Sequence, residues 1–194
     1  LRKALEQLGS KNFLSSVLPF DTTRKEGGRY SDRTVNEIIR ACFEMGRVRT
    51  GALIVMEQTN SLAEYERTGI TVDGLVTSQL LINIFEHNTP LHDGAVIVRG
   101  ERVTSATCYL PLSDNRDLSK ELGTRHRAAV GISEATDSLT LVVSEETGYV
   151  SVAYKGELYR DLDADGVREK IAMIQDKPGG DEKRHRVRKG KSKV

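Results

Sequence analysis

Four short segments of this 194-residue chain carry side chains that could do chemistry together. The first is Leu91-His92-Asp93-Gly94-Ala95. Asp93 could hold a divalent metal or accept a proton from a hydroxyl, and His92 could be a second metal ligand. Gly94, at the start of an apolar strand, would let a ligand come close to the backbone. Taken alone, Asp-Gly is also among the commonest turn dipeptides. The second segment is Gly123-Thr124-Arg125-His126-Arg127-Ala128-Ala129. Gly-Thr before a helical run suits a helix start, where free N–H groups and the helix dipole attract anions. Arg125 and Arg127 add fork-shaped donors for phosphate oxygens. Residues two apart do not share a helix face, so both arginines reach one ligand only at the helix entry.

The third segment, Ser144-Glu145-Glu146-Thr147-Gly148, is a hairpin turn whose acids could complete a metal site begun by His92 and Asp93. The fourth is Tyr109, an aromatic at a strand end that could stack on a base. Taken singly, these are also a basic turn, a polar hairpin tip and a rim tyrosine. Together they outline a nucleotide site without naming a reaction. Other signals fall away. Asp161-Leu-Asp163-Ala-Asp165-Gly166 starts like a calcium loop, but Ala172 stands where a bidentate Glu is required, and the acids fit a helix start better. His87 and His92 lack the spacing of a zinc site. No P-loop, dinucleotide fingerprint or nucleophile elbow is present.

The elements that must position these segments follow from hydrophobic periodicity. Thr34 and Glu37 have capping-box spacing before a helix closed by Gly46, with Val35, Ile38, Ile39, Cys42 and Phe43 inward. The run 51–56 reads as a buried strand. Residues 61–68 read as a short helix and 75–86 as a strongly apolar one, stopped at Pro90. Strands at 94–99 and 102–110 form one hairpin; strands at 138–144 and 149–155 form a second. A helix is expected over 119–134, interrupted at Gly123 and Gly131, and a last helix over 163–175. These predict a single α/β domain with a mixed central β-sheet and helices packed on it.

Charge and composition bound the rest. The chain has 29 basic and 28 acidic residues, net +1, and 38% hydrophobic residues, which fits an ordinary globular domain. Residues 177–194 hold eight Lys/Arg and two acids, leaving the body with 21 basic and 26 acidic residues, net −5. Cys42 and Cys108 are expected to be reduced, buried thiols. No stretch is apolar enough to span a membrane. Residues 1–30 read as a linker with helical spacing at Leu1, Ala4, Leu5 and Leu8, 31–175 as the domain, and 176–194 as a basic disordered tail. A start at Leu1 suggests a piece of something longer. A basic tail alone is a weak argument for nucleic acid, and no nucleic acid is expected.

The order of motifs resembles the diadenylate cyclase domain family, most of all its membrane-tethered bacterial form. The residues that carry this are GALIVME at 51–57, LLINIF at 80–85, NTPLHDGAVIV at 88–98, CYLPLS at 108–113, KELGTRHRAAVGISEATD at 120–137 and LTLVVSEETGYVSVA at 139–153. The resemblance covers roughly 31–175. It implies an enzyme that condenses two ATP molecules into cyclic di-AMP and releases two pyrophosphates at the interface of two facing domains, hence a homodimer. It implies Asp93 as activator of a 3′-hydroxyl, His92, Asp93 and Glu146 as ligands of Mn²⁺ or Mg²⁺, and Thr124, Arg125, His126 and Arg127 as phosphate-gripping residues, the last three also catalytic. Gly94 and Ala95 would line the nucleotide, and Tyr109 would stack near adenine. The family further implies a membrane anchor before the domain, placing the full-length protein on the cytoplasmic face of the cell membrane. Among its partners it implies a membrane regulator and a phosphoglucosamine mutase. The alternative weighed against it is a nucleotide-binding regulatory module that keeps the fold without turnover.

Overall fold

The computed structural model describes residues 29–175 except 117 and 120. The predicted connector over 1–28 and the tail beyond 175 lie outside the described residues. Arg29 and Tyr30, read from sequence as linker, are fastened to the domain. The Arg29 amide donates to the Gln175 carbonyl at 3.0 Å. The fully buried Tyr30 hydroxyl reaches the carbonyls of Glu57 (2.5 Å) and Val98 (3.0 Å). Burial and the nearby Glu57 carboxylate push the phenol well above its ordinary pKa.

Five helices and seven strands run in the order α1 (Asp32–Arg47), β1 (Ala52–Met56), α2 (Ala63–Glu66), β2 (Ile70–Leu75), α3 (Ser78–Phe85), β3 (Ala95–Arg99), β4 (Arg102–Cys108), α4 (Thr124–Ala135), β5 (Leu139–Val143), β6 (Val150–Tyr154), β7 (Glu157–Tyr159) and α5 (Ala164–Ala172). The strands form one sheet in the order β2-β4-β3-β1-β5-β6-β7. Only β1 and β3 pair in parallel; every other neighbour is antiparallel. The expected mixed α/β sheet is what the chain forms.

Both faces of the sheet are covered, which is why β1 is an unbroken apolar run. Ile54 and Met56 point into a core shared with α1, α3 and α5, where Val35, Ile38, Leu81, Phe85, Val167 and Ile171 pack. Leu53 and Val55 point to the other face, where Ala129, Val130 and Ile132 of α4 cover them. Cys42 lies in the first core and Cys108 in the second. Burial pushes both thiols up to about 12. Neither is expected to react with a thiol reagent at neutral pH until the domain is unfolded, which a native-versus-denatured titration checks.

The structure moves several boundaries. The cap of α1 is Ser31, whose hydroxyl accepts from the Thr34 amide at 3.2 Å. Glu37 is not its capping partner; its carboxylate accepts from the Ser78 amide at 2.6 Å and so fixes the start of α3, and this bond holds its pKa low. The 75–86 helix begins only at Ser78, because Leu75 ends an extra edge strand, β2. That strand is exposed along much of its length and carries a bulge between Thr71 and Gly74, so its Ile-Thr-Val-Asp alternation is too short to mark a strand in sequence. The three-residue β7 was also not expected. The 119–134 helix is α4, shortened to begin at Thr124 and running unbroken through Gly131. Asp163 caps α5 by accepting from the Gly166 amide at 2.8 Å, as expected for acids at a helix start. Among the described residues, no helix is long and apolar enough to cross a membrane.

Candidate active site

Strand direction decides which residues meet. Pairing of Ala52 with Val143, Val143 with Val150 and Ala95 with Cys108 places the starts of β1, β3 and β6 at one edge of the sheet with the ends of β4 and β5. Tyr159 pairs with Val152, so the residues after β7 reach the same edge. Each predicted segment therefore arrives there: Asp93 and Gly94 before β3, Tyr109 after β4, Glu145 and Glu146 after β5.

The start of α4 closes over this edge. Gly123 is its N-cap residue, with no side-chain cap bond and no acid in the first turn. The first-turn amides therefore keep their anion-attracting character. A cavity of about 520 Å³ opens beside it, lined by Gly123, Thr124, Arg125 and His126 from α4, Glu145 and Glu146 from the β5–β6 turn, and Arg160 and Asp161 after β7.

The Arg125 guanidinium donates to Glu145 Oε2 at 2.5 Å. The pair lies over Gly51, where a Cβ would stand 2.7 Å from Arg125 Nη1 and 3.0 Å from Glu145 Oε2. Gly51, seen in the sequence only as the head of a strand, is thus the floor beneath the cavity's ion pair. His126 is half-buried, and burial, aided by the Arg160 charge, lowers its pKa below the ordinary 6.5. The unfolded chain then takes up a proton before the folded domain does. Stability present above about pH 6.5 should be lost as pH falls towards the folded pKa. Denaturant midpoints between pH 7 and 5 are expected to fall less steeply for His126→Gln than for the parent.

Asp93, Gly94, Ala95 and Tyr109 lie along the same edge but do not line the cavity. The β1 column separates them from it, roughly 10 Å of sheet at the usual strand spacing. Gly94 has φ +93°, and a Cβ there would fall 2.9 Å from the Thr107 carbonyl carbon. Thr107 itself is at φ +61°, unusual for a β-branched residue, beside a register shift between β3 and β4. Two backbone segments are thus pressed together under Asp93, whose carboxylate is exposed and makes no bond among the described residues. Tyr109 is 70% exposed, a bare ring at the rim. His92 Nδ1 meets the Thr89 carbonyl at 2.6 Å, which leaves Nε2 as the nitrogen for a ligand. Arg127 lies off the cavity wall although the helix entry falls at Thr124, so the first turn does not bring both arginines to the cavity.

The metal expectation can be tested against these donors. Carboxylates and an imidazole suit Mn²⁺, and the oxygens suit Mg²⁺. Among the described residues, however, no three His, Cys, Asp or Glu side chains converge on one point. The set fits a cation shared with substrate phosphates rather than an all-protein cage, which is the usual mode for Mg²⁺. Sequence reasoning missed Glu121, Tyr149, Ser151, Arg160 and Asp161 among the lining residues. Arg160 follows a strand too short to notice, so no signal marked it, and Asp161 drew notice only as the head of a calcium-like run that was set aside.

The fold and this edge define a mixed α/β domain with a polar, anion-suited cavity at a helix start. The sequence matches the family model described as DAC, DisA bacterial checkpoint controller nucleotide-binding, over residues 39–158, and the chain belongs to that family. The cyclic di-AMP synthase CdaA of Bacillus subtilis (strain 168) is 50% identical over 172 residues, 88% of this chain and 60% of that protein. The diadenylate cyclase of Listeria monocytogenes serotype 1/2a (strain 10403S) is 51% identical over 162 residues, 84% of this chain and 57% of that protein. The chain thus spans about 60% of the length of these curated relatives. A crystal structure of DacA from Staphylococcus aureus superposes with a TM-score of 0.72 at 46% identity, covering 73% of this chain and 95% of that one.

Proposed function

We propose that this chain is the catalytic domain of a diadenylate cyclase, joining two ATP molecules into cyclic di-AMP with release of two pyrophosphates. The observation that carries the reading is the presence, at one sheet edge, of Asp93, a carboxylate without a partner among the described residues, and a helix start bearing Thr124, Arg125 and His126, in a chain of this family. Phosphoryl transfer needs in-line placement and neutralised charge more than covalent help. The α4 amides, Thr124, Arg125 and His126 hold the phosphates, with Arg127 beside them. Neutral His126 donates a hydrogen bond without adding charge. Asp93 accepts the proton of the attacking 3′-hydroxyl, and Tyr109 offers its ring to adenine next to Gly94 and Ala95.

Asp93 and the cavity lie on separate stretches of the edge. That spacing supports a reading in which the hydroxyl activated by Asp93 and the phosphate held at α4 belong to different nucleotides, brought together when two domains face each other as a homodimer. The cavity wall sets two arginines against four carboxylates, Glu121, Glu145, Glu146 and Asp161. A nucleotide polyanion is favoured there only with added positive charge, which supports a divalent cation. In the facing pair, His92 and Asp93 of one domain and Glu146 of the facing domain would hold it. Bound Mn²⁺ or Mg²⁺ would supply charge neutralisation at the phosphates. The reading carries with it membrane tethering of the full-length protein, and a membrane regulator and a phosphoglucosamine mutase as partners.

The test is incubation with ATP and Mn²⁺ at several protein concentrations, with chromatography for cyclic di-AMP. Product that rises faster than linearly with protein is expected, because dimers make it. Metal-dependent ATP binding with no product at any concentration, and none with the full-length protein, would replace this reading by a nucleotide-binding regulatory module.

A further inference from the structure

We propose that Arg160 is a substrate-contacting residue, the cation that meets the nucleotide's phosphates from the β7 side of the cavity, beside the α4 start. The proposal rests on the nucleotide reading above and adds a residue to it.

The position of Arg160 is fixed by its neighbours. Tyr159 pairs with Val152 at the end of β7. Two residues past Arg160, the Leu162 amide donates to the Val150 carbonyl at 2.9 Å. Between them Asp161 turns the chain with φ +51°, a conformation aspartate tolerates better than most residues. This two-residue step is pinned at both ends, and both of its residues line the cavity.

Several of the charges around Arg160 are already committed elsewhere. Lys170 Nζ sits 3.3 Å from the centre of the Tyr159 ring, and the Tyr159 hydroxyl donates to Glu157 at 2.5 Å. Arg125 is engaged by Glu145 at 2.5 Å. Arg160 makes no hydrogen bond, ion pair or ring contact among the described residues, yet its charge helps to lower the His126 pKa, so it acts directly on the helix start. The two cavity arginines are therefore unequal. Arg125 must loosen or share Glu145 to grip a phosphate, whereas Arg160 breaks nothing. A guanidinium unpaired among the described residues, beside a helix N-terminus in a cavity otherwise rich in carboxylates, is suited to an anionic group.

The experiment measures ATP affinity by calorimetry at two salt concentrations, and steady-state kinetics, for Arg160→Ala and Arg160→Lys. Thermal melting provides the control for folding. Losing one charge-assisted phosphate contact is expected to weaken ATP binding and raise KM by about 10- to 100-fold, with kcat within a few-fold. Lysine should restore part of the loss, and the alanine variant should show a shallower salt dependence. Unchanged ATP affinity in Arg160→Ala overturns the proposal. So does a loss in kcat alone, or a loss that tracks a fall in melting temperature and is equal for alanine and lysine. If the parent binds ATP but makes no cyclic di-AMP, the cyclase reading fails and the affinity series still decides on Arg160. A parent that binds no ATP overturns both.

Discussion

Asp93→Asn is expected to cut cyclic di-AMP formation by about 10²- to 10⁴-fold, the range for removing a positioned proton acceptor, while ATP affinity changes by no more than a few-fold. The amide matches the carboxylate in shape, so the backbone crossing at Gly94 and Thr107 is left as it is. Asp93 is exposed and bonds to nothing among the described residues, so folding loses nothing and the melting temperature should hold. The cavity that grips phosphates lies about two strand spacings away, which is why binding and turnover should separate at this position. Turnover kept within a few-fold would remove Asp93 from the chemistry. An equal fall in ATP affinity would move its role to the ground state, through the shared cation.

Arg125→Ala is expected to act differently, lowering ATP affinity and kcat/KM together. A guanidinium on a phosphate contributes about 1.5–3 kcal/mol, roughly 10- to 100-fold, and the contact exists before the transition state. The cost to the fold should be small. Removing Arg125 strands Glu145, but that carboxylate is 55% exposed and water replaces the lost partner. Pairs of this exposure contribute about 0–1 kcal/mol. The melting temperature should therefore shift by only a few degrees while binding collapses. Binding and kinetics on the same preparation check this. Intact affinity with lost turnover would mean that Arg125 acts only in the transition state and that other groups hold the ground-state nucleotide.

The two variants also divide the edge into its parts. Asp93 belongs to the β3 side and Arg125 to the α4 side, with the β1 column between them. Mixing the two impaired variants would pair an intact Asp93 in one domain with an intact Arg125 in the other for one of the two condensations, and so restore formation of the linear dinucleotide. Recovery of activity on mixing would follow from the facing-domain reading and from no single-domain mechanism.

Much of this was legible in the sequence, for a local reason. Apolar runs such as 52–56 and 139–143 are buried on both faces, and that burial is written directly into residue type. Gly-Thr before Arg125 announced a helix start, and the structure places the cap at Gly123. Asp-Gly at the head of an apolar strand announced a rim position. Elements without a private signature were lost. Exposed β2 alternates over only a few residues, β7 is three residues long, and Ser31 rather than Thr34 caps α1, while Glu37 is used across the fold by Ser78.

The sequence by itself determined the set of chemical groups: one acid before a glycine, one basic helix start, one acidic hairpin tip and one rim tyrosine. Only the tertiary structure decided who faces whom. Antiparallel pairing of β1 with β5 brings Glu145 onto Arg125 above Gly51. The return of the chain after β7 delivers Arg160 to a helix start 36 residues earlier. Such meetings depend on strand direction and sheet order, which are set by how whole faces bury against one another, and no local spacing records them.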